Sequence, residues 1–285
     1  MRLKSERLQN DFERIGAIKI SNFLKKEDLL QIKELYSEMG LTKLGGIYTN
    51  VKDQGADYNN KVDSILRSIF EIPVKQHFED YQIGGGAFLI KGTGENSHSS
   101  LHQDWNVVDE NKYQSAAIFC PIQDVDEENG CLKVIGGSHK WFRNIRSFHY
   151  PSQFLNFDQI NKGMLSLPVK AGDAVVFRHN VFHGSKPNLT NYNRVAASVS
   201  IASKEAQYLH YFKEDDFFKI IKANALFFNE SVAKMYEGKK VDLEEIGKIL
   251  FEESKILTLA ELQEKYIQVY PPSVFERVKK LFTSR

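Results

Sequence analysis

The stretch YQSAAIFCPIQDVDEENGCLKVI, residues 113–135, carries two apolar runs, Tyr113–Ile122 and Leu132–Ile135, on either side of the tight-turn dipeptide Asn129-Gly130. Runs of this length, rich in β-branched and aromatic residues and bounded by turn chemistry, read as strands. Upstream lie the apolar run Ala87–Ile90 and a short segment ending in Leu101-His102-Gln103-Asp104. Downstream, Ala171-Gly172-Asp173 reads as a turn feeding Ala174–Phe177, and an alternating strand runs from Arg194 to Ile201. Strands joined by turns, without helices regularly placed between them, predict an antiparallel sandwich.

Before this β region the spacing predicts the strand Ala17–Ile20, a helix over about Lys25–Met39, and a second helix from about Asp57 that Pro73 brings to an end. Neither helix carries an evident catalytic group, so both are expected to cover the sheet. After Ser203 the pattern predicts helices at Asp216–Tyr236, Asp242–Glu253, Thr258–Ile267 and Ser273–Phe282. Three of them open with capping-box spacing: Asp242 with Glu245, Thr258 with Glu261, and Ser273 with Glu276. With neither repeat nor low-complexity linker to divide it, the chain reads as one domain, residues 1–285. Its β core spans about 84–203, and a helical C-terminal extension spans about 204–285.

The chemistry centres on His102-Gln103-Asp104. Alternate strand residues face one side, so His102 and Asp104 can converge while Gln103 turns away. Taken alone the motif is weak, and an exposed polar strand end is its ordinary explanation. His183, in His183-Gly184-Ser185, would add a third ligand and complete a two-histidine, one-carboxylate triad, which holds one face of an iron(II) ion and leaves positions open for oxygen chemistry. Other histidines are read differently. His179 follows a strand-like run, which removes the helical metal pair that its spacing from His183 would otherwise make. His139 belongs to a Gly-Ser-His turn, and His77, His149 and His210 have no local motif.

The order His102-Gln103-Asp104, Glu128-Asn129-Gly130-Cys131-Leu132, Gly137-Ser138-His139-Lys140, Gly172-Asp173, His183-Gly184-Ser185 and Arg194 resembles the phytanoyl-CoA dioxygenase family of iron(II)- and 2-oxoglutarate-dependent oxygenases. Phe12, Gly16, Ile18–Ile20 and Asn22-Phe23-Leu24 match the family's opening, so the resemblance covers about residues 8–212. The family usually has proline before the Gly-Ser-His turn, where this chain has Gly136.

The resemblance implies a double-stranded β-helix, a jelly-roll and cupin-like core, with His102, Asp104 and His183 as catalytic metal ligands for Fe(II). It implies 2-oxoglutarate as cosubstrate, O2 as oxidant, and hydroxylation of an aliphatic carbon of a small molecule with release of succinate and CO2. Related halogenases replace the carboxylate ligand by a small residue, and here Asp104 is retained. Desaturation and ring formation use the same ligands.

Arg194 is the expected cofactor-binding residue. Its strand has one small, polar face, Arg194, Ala196, Ser198 and Ser200, and one apolar face, Val195, Ala197, Val199 and Ile201. The small face suits a barrel interior that must hold a dicarboxylate, and a guanidinium pairs with a carboxylate through two hydrogen bonds. A surface salt bridge at a strand end is the alternative, which the family's eleven-residue spacing from His183 counts against. The loop Trp141–Met164, with Trp141, Phe142, Arg143, Arg146, Phe148, Tyr150, Phe154 and Phe157, is a candidate substrate grip or a solvated cover.

Two other classes fit less of the pattern. A cupin-like metal enzyme without 2-oxoglutarate would not need Arg194, and a non-catalytic binding protein on the same fold would usually lose a ligand. Composition narrows the partners: 38 Lys plus Arg against 37 Asp plus Glu gives a formal charge of +1, which offers nucleic acid or an anionic membrane no bulk attraction. No run reaches the about 18 apolar residues of a membrane span, and residues 1–10 are charged where a signal peptide would be apolar. Cys120 and Cys131 are too few for a disulfide framework and fit a reducing, cytoplasmic compartment. A small-molecule substrate is the expected partner; oligomeric state is not legible.

Overall fold

The computed structural model describes residues 1–42, 44–141, 144–147, 164–224 and 244–251, together with positions 227, 231, 232, 234, 261 and 264. The N-terminal third alternates short strands with helices: β1 (Arg2–Leu3), α1 (Glu6–Ile15), β2 (Ala17–Ile20), α2 (Lys26–Ser37), β3 (Ile47–Thr49), α3 (Asn50–Asp53), α4 (Ala56–His77) and β4 (Phe78–Glu79). The strands β5 (Tyr81–Lys91), β6 (Ser99–His102), β7 (Ser115–Pro121), β8 (Leu132–Val134), β9 (Leu165–Leu167), β10 (Ala174–Arg178), β11 (His183–Ser185) and β12 (Arg194–Ser203) follow. The last described elements are β13 (Leu209–Lys213), β14 (Phe217–Lys222) and β15 (Glu245–Leu250).

Two antiparallel sheets carry the core. The major sheet has the order β2-β10-β7-β12-β5-β3 and the minor sheet the order β6-β11-β8-β9. Strand alternation sorts the apolar residues of the major sheet into two layers. Ile118, Val176, Val195, Ala197, Val199 and Ile201 pack with Val62, Leu66 and Phe70 of α4. Ala117, Phe119, Val175, Phe177 and Ala196 face inward against Leu132, Val134, Leu165 and Leu167 of the minor sheet. Burial on both faces explains why these strands read as nearly continuous apolar runs. The result is the expected jelly-roll core, with β7 and β8 in different sheets and the turn at Asn129-Gly130 lying on the crossing between them.

Two local expectations are corrected. Pro73 lies inside α4 rather than ending it, and the helix continues to His77. Pro73 and Val74 are buried, so packing outweighs the lost backbone hydrogen bond. Within the spans where helices were expected at Asp216–Tyr236 and Asp242–Glu253, Phe217–Lys222 (β14) and Glu245–Leu250 (β15) are strands and join β13 in a three-stranded antiparallel sheet, whereas Phe227, Ser231, Val232 and Lys234 are helical as expected. The aromatic and β-branched run Phe217–Ile221 favours a pleated, half-buried surface with partners on both sides, and β15, at the sheet edge, pairs along β14 where the capping-box spacing at Asp242 points to a helix. The helices expected at Thr258–Ile267 and Ser273–Phe282 lie, apart from Glu261 and Glu264, outside the described residues. Among the described residues no helix is long and apolar enough to cross a membrane.

Candidate metal centre

The minor sheet brings the distant histidines together. β11 pairs with β6 in the register His183 opposite His102, and the ring centroids are 4.3 Å apart. Each imidazole has its Nδ1 on a backbone carbonyl, His102 on Ser100 at 2.7 Å and His183 on Val181 at 3.0 Å. A carbonyl can only accept, so both Nδ1 atoms carry the proton and both Nε2 atoms keep a free lone pair. Those Nε2 atoms lie 3.8 Å (His102) and 3.6 Å (His183) from Asp104 Oδ1. One ligand atom from each of the three residues falls within 4.8 Å of the others, a spacing that a single ion can span. The donor set and its outer hydrogen bonds therefore fit a divalent transition metal.

Electrostatics prepares the same state. Burial pushes the His183 pKa down to about 4, so its imidazole is neutral and able to ligate at pH 7. Burial alone would raise the Asp104 carboxyl, but His183, His179, His102 and Arg146 outweigh it and hold the group below its ordinary range. His183 is 6% exposed against 36% and 32% for His102 and Asp104, so the cluster is closed on the barrel side and open on the other.

Sequence periodicity placed His102 and Asp104 on one strand; the structure ends β6 at His102. Asp104 still shares a side with His102 because its backbone is held from outside the ladder. Its N–H donates to His179 O (2.8 Å) and its carbonyl accepts from Arg146 Nε (2.7 Å). Gln103 turns away as expected, and its Nε2 donates to Asn180 O. Arg146 is not a substrate grip: it is fully buried and paired with Glu110. Arg143 and the loop aromatics from Phe142 to Phe157 lie outside the described residues.

Arg194 occupies the inward face of β12 and is buried, its guanidinium 5.0 Å from the centre of the Phe119 ring. Burial lowers its pKa to about 10, and among the described residues no carboxylate lies within ion-pair distance of it. Its direct cross-strand partner is Lys91, also fully buried, whose Nζ donates to Ser97 O. Burial, and then the neighbouring Arg194, push Lys91 down to about 7. Sequence reading missed Lys91 and the Glu110–Arg146 pair. Lys91 was detectable, because strand phase puts it on the same face as the inward Leu89.

The discounted groups have structural partners. His179 Nδ1 meets Ser115 Oγ at 2.8 Å, and His139 Nε2 donates to Glu13 O, tying the Gly-Ser-His turn to the end of α1. Cys120 and Cys131 are buried free thiols.

Comparison with known proteins agrees with this architecture. The family model described as Phytanoyl-CoA dioxygenase (PhyH) matches residues 6–196. The chain is 27% identical over 142 residues to dioxygenase olcK of Penicillium canescens, covering 47% of this chain and 43% of that protein. It is 29% identical over 125 residues to the peroxisomal phytanoyl-CoA dioxygenase of Homo sapiens, covering 40% and 36%. The chain thus spans about half the length, or less, of these curated relatives. Among solved structures, the epimerase SnoN in complex with Fe3+, alpha ketoglutarate and nogalamycin RO aligns with a TM-score of 0.53 at 16% identity, covering 90% and 96% of the two chains. The carbocyclase SnoK from nogalamycin biosynthesis aligns with a TM-score of 0.52 at 17% identity, covering 72% and 86%. These two likenesses establish the fold. The family match covers the inward-facing strands, all three candidate ligands and Arg194, and the chain belongs to the phytanoyl-CoA dioxygenase (PhyH) family.

Proposed function

We propose that residues 1–285 form a single oxygenase domain that uses iron(II), 2-oxoglutarate and O2 to hydroxylate an aliphatic carbon of a small-molecule substrate, releasing succinate and CO2. The observation that carries this reading is the convergence of His102 Nε2, His183 Nε2 and Asp104 Oδ1, with both Nδ1 atoms already committed to carbonyls. Bound iron supplies the oxygen-activating redox chemistry that no protein side chain can provide. The chain's own part is to hold the metal with His102, Asp104 and His183 and to keep His183 deprotonated. Arg194, a buried cation without a carboxylate partner among the described residues, receives the distal carboxylate of 2-oxoglutarate. The solvent-facing side of His102 and Asp104 is where substrate approaches.

The free thiols of Cys120 and Cys131 support a reducing, cytoplasmic setting. The test is a metabolite screen for substrate-stimulated succinate release under iron(II), O2 and 2-oxoglutarate. Substrate turnover that needs the metal but yields no succinate would replace this reading with a cupin-like one.

A further inference from the structure

Asp104 sits two residues past the end of β6, so it supplies a metal ligand from a stretch that no strand ladder holds. Arg146 stands in for the missing strand. Its Nε donates to Asp104 O (2.7 Å), its Nη1 to Asn144 O (2.7 Å) and its Nη2 to Glu110 Oε1 (2.5 Å). Its backbone N–H donates to Asn106 Oδ1 (2.6 Å), and Asn106 N–H returns a bond to Arg146 O (3.2 Å). One side chain thus touches residues 104 and 110, the two ends of the segment that leaves the metal strand, and its backbone takes the middle at Asn106. The Arg146 side chain is fully buried and that of Glu110 is 6% exposed.

A buried ion pair is a costly way to fill space, since an apolar pair of similar volume is often as stable or more so. An apolar pair could neither grasp the Asp104 carbonyl nor place a positive charge beside the ligand carboxylate. Lysine carries its three donors on one nitrogen and cannot span the three acceptors that Nε, Nη1 and Nη2 reach separately from the planar fork.

We propose that Arg146, oriented by Glu110, is a positioning residue that aims the Asp104 carboxylate at the metal. This rests on the metal-site reading above. Partners that orient a ligand from outside the first coordination sphere commonly cost about 10- to 100-fold in metal affinity when removed.

The test uses cobalt(II) as probe on the full chain, measuring affinity, the visible absorption of bound cobalt, and the melting temperature without metal. R146Q and E110Q should each weaken cobalt binding about tenfold or more and change its absorption. R146Q/E110Q should be no worse than R146Q, because the two act as one unit, and R146K should recover only part. Wild-type affinity and absorption in R146Q would overturn the proposal. So would losses of affinity that simply follow the metal-free melting temperature and add in the double variant. Should R146Q fail to fold, the near-isosteric E110Q decides alone, and an unchanged cobalt site there rejects the clasp. A wild-type protein that binds no cobalt removes the metal reading itself, and this proposal with it.

Discussion

Lys91 and Arg194 face each other directly across β5 and β12, two buried basic side chains side by side on the inner face of the barrel, with burial and then Arg194 holding the Lys91 pKa down to about 7. A bound anion would favour the state in which both are charged, and without one the repulsion falls on Lys91, whose proton is the more easily lost. Removing one member of a buried charge pair costs roughly 2–5 kcal/mol, and about 1.4 kcal/mol is a factor of ten in affinity. Arg194→Ala is therefore expected to weaken 2-oxoglutarate binding by about 30-fold or more while iron(II) affinity barely changes, with Arg194→Lys recovering part. Anaerobic titration, following the metal-to-ligand charge-transfer band, measures both. Cosubstrate bound as tightly as in wild type would move the anchor elsewhere.

His183→Ala should cost more metal affinity than the roughly 10- to 100-fold typical of an outer partner, because it removes a ligand outright. The fold should survive, since the neighbouring Phe177 ring and the two ladders of β11 remain. Anaerobic iron(II) titration beside a circular dichroism melt checks both halves. Unchanged affinity would take His183 out of the site.

Acid should destabilise the metal-free protein, with a sign set by its buried and half-buried histidines: His77, His139, His179 and His183 are all held below the ordinary imidazole value, chiefly by burial. His139 is pushed down to about 3 by burial and then by Arg178 and Lys140, and His183 is pushed down to about 4 by burial. The unfolded chain takes up these protons near pH 6.5, whereas the native state resists until about 4 and 3, so stability falls as pH drops from about 6.5. Each such histidine contributes a slope of up to about 1.4 kcal/mol per pH unit. The lowered Asp104 pKa acts the same way at still lower pH, because its stabilisation is lost on protonation. His139→Asn should flatten the decline in melting temperature between pH 6.5 and 4. Identical slopes in variant and wild type would contradict this account.

Gly16→Ala should be strongly destabilising. Gly16 caps α1 at φ +84°, and a Cβ there would stand 2.4 Å from His139 Nδ1. The left-handed backbone alone costs an alanine about 1–2 kcal/mol, and the contact adds to it. In urea titrations the penalty should shrink, without vanishing, when His139 is also alanine. Equal penalties in both backgrounds would mean that the ring moves aside freely.

Much of the inner barrel was legible because its logic is local. Period-two alternation correctly sorted Arg194 and Ala196 from Val195, Ala197 and Val199, and it put His102 and Asp104 on one side even though the strand ends between them. What escaped depends on partners far along the chain. The capping pattern at Asp242 is a local signal of about 0.5–2 kcal/mol, whereas the pairing of Glu245–Leu250 with Phe217–Ile221 joins residues more than twenty positions apart. Arg146 looked like a loop cation reaching for substrate because nothing near it in sequence announces Glu110 or the Asp104 carbonyl. Pro73 reads as a stop because the burial of Val74 and Phe78 beyond it is a tertiary fact.

The register of His102 against His183 bears on folding as much as on metal binding. The two ligands sit on neighbouring strands whose pairing is short, interrupted by an irregularity between His183 and Ser185. An ion bound between them would act as a rivet through that seam, joining parts of the chain separated by most of the β core. Ligand free energy of this kind is added to the stability of the folded state by mass action. Metal supply would then govern how long the minor sheet stays closed, and starvation for iron would be felt first as loosening along β6 and β11.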